Sequence, residues 1–186
     1  TSTTWSKIFY TGILLAFTVI HFLLFAFYPS GKQNLFFALF TGFLALLTFT
    51  ILQTNYADSP LLAISYYRVS LIAWLITIIY ALRFCYSLFY DKPPKLFWLF
   101  SLVGVGLAAG TWFDAQNLDV FRELFAFIGL IEIIRGVMIS FYKQKEGVWI
   151  IGTGLICLVA GILFTVLANL DVIAGDPVLG NLYGSA

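Results

Sequence analysis

Charge is scarce along this chain: 10% of the 186 residues carry any, Lys plus Arg number 10 against 9 for Asp plus Glu, and the formal net charge is +1. No basic or acidic run accumulates, which removes nucleic acid from the expected partners. Histidine occurs once, at His21, and cysteine twice, at Cys85 and Cys157 inside apolar runs. These three share no ligand spacing, so zinc, a bis-histidine haem and a disulfide framework are all excluded as readings. The absence of N-x-[ST], G-x-S-x-G and H-E-x-x-H argues against glycosylation and against the common hydrolytic sites. Lysine is missing from the middle of every apolar span below, so none of them offers a retinal Schiff base, although a seventh span is not covered by that exclusion. Nothing in the chain reads as catalytic, cofactor-binding or metal-ligating, and no enzyme is expected within it. Absent too is the order of a cleavable signal peptide. The chain opens on Thr1 and is expected to be a fragment of something longer.

What is abundant is apolar surface. Hydrophobic residues make up 61% of the chain and aromatics 19%, and the mean hydropathy is +0.97. No ordinary soluble domain has this composition. A span of about 20 apolar residues crosses the hydrocarbon core, and six fit: 7–28, 32–53, 60–90, 96–113, 120–142 and 148–173. Turn and breaker clusters separate them, among them Tyr28-Pro29-Ser30-Gly31 and Asp91-Lys92-Pro93-Pro94. The expected fold is an all-α membrane protein, a polytopic helical bundle forming one domain over 1–186. Six spans are present, and a seventh is truncated soon after it begins at Val178, in 178–186. Short loops imply antiparallel neighbours.

Lys32, Lys92, Lys95, Lys143 and Lys145 fall in the loops after spans one, three and five, with Arg83 close by. The opposite side holds Lys7 and Arg122 in its loops and helix ends. By the positive-inside rule the first set is cytoplasmic and the amino terminus lies outside. Trp5 and Trp112 would then mark the outer interface and Trp98 and Trp149 the inner one, with Trp74 the exception in mid-span.

Within span five, Arg122, Ala126, Gly129, Gly136 and Ser140 lie close to one line at about 100° per residue, with Glu132 at its edge. Charged residues at membrane depth usually face the bundle interior, so this stripe should meet another helix. Glu132 and Arg135, three apart, can neutralise each other. That pair reads either as a tolerated internal ion pair or as a polar switch, and Arg68, His21 and Glu123 join the switch candidates. Arg68 and Glu123 sit at similar depth and are expected to pair between spans three and five. Arg83 is expected to reach toward headgroups, and His21 to hydrogen-bond across helices. Small residues at packing spacing include Gly104 with Ala108, Gly106 with Gly110, and Cys157 with Gly161, beside Gly152 and Gly154. At the outer ends Asn55, Asp58, Asn117, Arg122, Asn169 and Asp171 outline a candidate ligand cleft. The competing view is that loops meeting water are simply polar.

Three stretches carry a resemblance: His21 to Phe40, with Tyr28-Pro29-Ser30-Gly31-Lys32-Gln33-Asn34 at its centre; Leu82-Arg83-Phe84-Cys85-Tyr86-Ser87-Leu88-Phe89-Tyr90; and Lys145-Glu146-Gly147-Val148-Trp149-Ile150-Ile151-Gly152. Together with the hydropathy order they resemble the bacterial seven-transmembrane receptors with diverse intracellular signalling modules. That resemblance implies a sensor in the bacterial inner membrane, amino terminus outside. It would pass an extracellular or membrane-derived signal to a cytoplasmic output domain in cis, of phosphatase, histidine kinase or cyclase type, which is not in this chain. Its partners would be the lipid bilayer, an unidentified small-molecule or membrane ligand, and in one arrangement a second copy in a homodimer. The alternative is a small transporter or membrane scaffold subunit. Against it, the prolines sit in loops or at span ends and no repeat relates the two halves.

Overall fold

The computed structural model describes residues 2–90, 92–142 and 153. They form five helices: α1 (Ser2–Phe27), α2 (Lys32–Thr54), α3 (Pro60–Phe89), α4 (Lys95–Phe113) and α5 (Asp119–Tyr142). Each is long and apolar enough to cross a membrane. The boundaries agree with the expected spans to within one residue except at the start of α1, where helix begins five residues before Lys7. A helix satisfies its own backbone groups and can continue past the apolar region that drives insertion. The expected sixth span, and the seventh begun at 178–186, lie outside the described residues.

Local chemistry places the helix ends. Ser59, in extended conformation, caps α3 by accepting from Leu62 N at 3.3 Å, and Pro60 occupies the first turn, where its missing N–H costs nothing. Pro94 precedes α4 in the same extended conformation. Asp119 puts a negative charge in the first turn of α5, favourable to the helix dipole. Between α1 and α2 the chain turns tightly, Gly31 N donating to Tyr28 O at 3.0 Å.

Residue pairing shows how the helices run. Thr11 meets Thr48 and Thr18 meets Thr41, so α1 and α2 are antiparallel. Phe43 stacks on Tyr80 and Phe37 packs on Phe84, which sets α2 against α3 in the same sense. Tyr86 packs edge-on to Phe97 across α3 and α4. Phe100 stacks on Phe125 across α4 and α5 at 4.0 Å between centroids. A Cβ on Gly129 would meet Ile78 Cγ2 at 2.7 Å, and Tyr86 bonds Glu132, so α3 and α5 run parallel, as alternate spans must.

The chain divides into two compact units, Thr1–Gly136 and Val137–Ala186. In the first, the core is built on one stripe of α3, Leu75, Ile78, Ile79, Leu82 and Tyr86, joined by Phe97 of α4 and Phe125 of α5. The spacing of three and four is that of a single helix face. Glycine admits the neighbours: a Cβ on Gly104 would lie 2.6 Å from Phe125 Cζ and 2.7 Å from Ile79 Cδ1. Gly110 has the same role toward Leu118 at 2.8 Å, whereas Gly106, expected to pack with it, has nothing within 4 Å. In the second unit Val137 and Ser140 are buried. Cys157, Gly161, Gly152 and Gly154 lie outside the described residues.

Candidate functional site in the α3–α5 interface

Tyr86 lies one turn before the end of α3, on its buried stripe, and is 1% exposed. A phenol so placed needs a partner for its hydroxyl, and it donates to Glu132 Oε1 of α5. One turn further along α5, Arg135 donates to the same carboxylate twice, from Nε to Oε2 at 2.7 Å and from Nη2 to Oε1 at 2.5 Å. The fork matches the carboxylate, a geometry that makes charge-assisted pairs strong. Glu132 is 8% exposed, while the Arg135 side chain keeps nearly half of its surface. The negative charge is therefore the enclosed member and the positive one its bridge outward. A cavity of about 110 Å³ adjoins the cluster, lined by Leu82, Tyr86, Leu96, Phe97, Phe100, Ile128, Ile131 and Glu132.

The other switch candidates are placed elsewhere. His21 Nδ1 is 3.1 Å from Asn34 Oδ1, and its ring lies 4.3 Å from that of Phe37, so it belongs to the α1–α2 hairpin. Arg68 and Glu123 form no ion pair with each other: the pairs among the described residues are Arg122 with Asp119 and Arg135 with Glu132. Glu123 is on the exposed face of α5, one residue and so about 100° away from buried Arg122. Similar depth did not imply facing rotation. Arg83 does not simply extend outward; its guanidinium covers the rings of Phe36 at 4.4 Å and Phe97 at 5.5 Å.

Of the expected outer cleft, Asn169 and Asp171 lie outside the described residues. The other four are not gathered into one cleft. Asn55 caps α2 and lines a separate cavity of about 450 Å³ between α2 and α3, with Trp74 and Tyr67 among its walls. Asp58 is exposed. Asn117 is held by Asp114, whose carboxylate accepts from its side chain at 2.7 Å and its backbone N–H at 3.2 Å. Those bonds, the side-chain one foremost, hold the Asp114 carboxyl below its ordinary range. Arg122 turns into the bundle, 2% exposed, donating to Thr111 Oγ1 at 3.4 Å and making an ion contact with Asp119.

Two arrangements are not legible from the sequence. One is Tyr86; the signal was a phenol on an otherwise Leu/Ile stripe, 75-78-79-82-86. The other is a hydroxyl seam in which Thr11 and Thr18, seven apart, face Thr48 and Thr41, also seven apart, each pair at 3.0 Å. Each of the four also has a carbonyl of its own helix within hydrogen-bond distance, so in each pair one hydroxyl donates across the seam while the other donates to its own helix, and Gly42 lets Thr18 come close.

Five apolar membrane-length helices with a buried carboxylate shared between two of them define a multi-pass membrane protein whose polar chemistry is internal. Across residues 4–186 the chain matches the family described as 7TM diverse intracellular signalling, and it belongs to that family. It is thus a transmembrane sensor module of receptor type. No curated protein and no solved structure matches it.

Proposed function

We propose that this chain is the sensing module of a bacterial inner-membrane receptor, with its amino terminus outside. It passes an extracellular or membrane-derived cue to a cytoplasmic output domain of phosphatase, histidine kinase or cyclase type, and any catalysis belongs to that domain. The observation that carries the reading, beside family membership, is the sharing of Glu132 between Arg135 of its own helix and Tyr86 of α3. A buried charged hydrogen bond across two helices is made or broken and has little between, so sliding or rotation of α3 against α5 has two discrete packings for a ligand to select between. The lysine distribution supports the orientation.

The test is made in the full receptor with its output domain attached. Tyr86→Phe removes the inter-helix bond and keeps the Glu132–Arg135 pair, and Glu132→Gln removes the charge. Both should shift basal output while the amount of inserted protein stays constant. Unchanged output in both variants at normal expression sinks the reading.

A further inference from the structure

We propose that the cavity beside Glu132 is a binding site for a small neutral amphiphile of the phenol class, about one aromatic ring with a single hydroxyl. The inference deepens the receptor reading and rests on it for its meaning, naming the ligand chemistry of the same site.

Size sets the first limit. Apolar cavities of roughly 150 Å³ lined by Leu, Ile and Phe stay dry and take up benzene. A space of about 110 Å³ is therefore of the size to take one ring. Its walls are seven apolar or aromatic side chains, Leu82, Tyr86, Phe97 and Phe100 among them, and one carboxylate. Water would find too few partners there, since a buried water needs two to four.

Charge sets the second limit. Glu132 is already offset by the two bonds from Arg135. A cationic ligand would compete with Arg135 for a carboxylate whose charge is already matched, leaving one positive charge in excess, and an anionic one would face that carboxylate directly, each costly in a low-dielectric site. A neutral ligand disturbs neither. The hydrogen-bond inventory sets the third. A carboxylate offers about four lone-pair positions. Oε1 receives Tyr86 and Arg135 Nη2, and Oε2 receives Arg135 Nε. One position remains, on Oε2, and one hydroxyl would fill it. Entry is from the apolar side, because the lining residues Leu96, Ile128 and Ile131 are each about half exposed. A molecule dissolved in the bilayer can reach the cavity without crossing the polar loops.

Titrating phenol against the full chain in phospholipid nanodiscs, with empty nanodiscs as the reference for partitioning, tests this directly. Saturable binding above the partitioning line is expected. Benzene, which lacks the donor, should bind roughly tenfold more weakly, the scale of a hydrogen bond to a charged group. Ile128→Trp and Leu96→Trp, at positions exposed enough to accept bulk, should each weaken phenol at least tenfold by filling the space. The proposal is overturned by phenol that only partitions, by equal affinities for phenol and benzene, or by binding unchanged in both tryptophan variants. Binding is read without any output domain, so the two readings fail separately. If phenol does not bind but Tyr86→Phe shifts output, the ligand class falls and the receptor stands; if phenol binds and output ignores the cluster, the reverse holds.

Discussion

The α1–α2 hairpin and the α3–α5 contact solve the same problem with opposite chemistry. Both hold apolar helices together by polar groups where water is excluded. The hairpin uses neutral hydroxyls in a repeating seam, Thr11 with Thr48 and Thr18 with Thr41, ending in His21 with Asn34. Each threonine also has a carbonyl of its own helix within reach, to which its one proton can turn, so losing a partner strands nothing. In the other contact a single carboxylate is answered by a tyrosine and an arginine. Removing one partner there leaves a charge behind. Neutral seams fail gradually, charged clusters abruptly, and only the second kind is suited to a switch.

The sharpest way to break that contrast is Arg135→Ala. It leaves Glu132 enclosed and uncompensated and should cost about 3 kcal/mol, the lower end for splitting a buried pair because the Arg135 side chain is half exposed. Unfolding in mixed micelles would read it, and a loss as small as that of a threonine variant would erase the distinction. Next is Gly129→Leu, which drives bulk against Ile78 and Phe100 where even a Cβ stands 2.7 Å from Ile78. A cost of about 2 kcal/mol is expected from overpacking, with helix content unchanged by circular dichroism. Tyr86→Phe should lose about 1.5 kcal/mol, a hydrogen bond to a charged acceptor, and less if Arg135 tightens on the carboxylate. On the neutral side, Thr18→Val should cost only about 0.6 kcal/mol, the average for interhelical bonds in a bilayer. Pairing it with Thr41→Val should add almost nothing, since one bond has already gone.

The smallest effect is at the α4–α5 turn. Because the folded state holds Asp114 below its ordinary pKa, its contribution is present above the usual aspartate range and fades as pH falls through the depressed folded value. The protection of the Asn117 amide against hydrogen exchange, taken relative to the intrinsic rate at each pH, should therefore fall only below about pH 4. In Asp114→Asn that protection should no longer change over the same range.

The inward stripe of α5 was legible because it is a property of one helix. Arg122, Gly129, Glu132, Gly136 and Ser140 are buried and Ala126 is half-buried, and Glu132 and Arg135 are neighbours at i and i+3. Legibility stopped at the next helix. Depth can be counted from a span's end, but rotation cannot: Arg68 and Glu123 share a depth, yet Glu123 faces outward. Arg83 met a similar fate: its position near a helix end suggested headgroups, while the rings of Phe36 and Phe97, from helices before and after it, occupy its guanidinium. Tyr86 had no visible partner because its acceptor is 46 residues away.

The sequence alone determined that there are apolar helices of membrane length, where four of the five described ones begin and end, and which face of α5 turns inward. These follow from local rules, the thickness of a bilayer, the 3.6-residue period and the chemistry of Ser59, Pro60 and Pro94 at the breaks. Tertiary structure decided which polar groups meet. The axial offset and rotation between helices come from how Gly104 and Gly129 seat against Ile79, Phe125 and Ile78, and those contacts join residues that no local period connects. A carboxylate that the sequence paired within its own helix became, by that seating, the link between two.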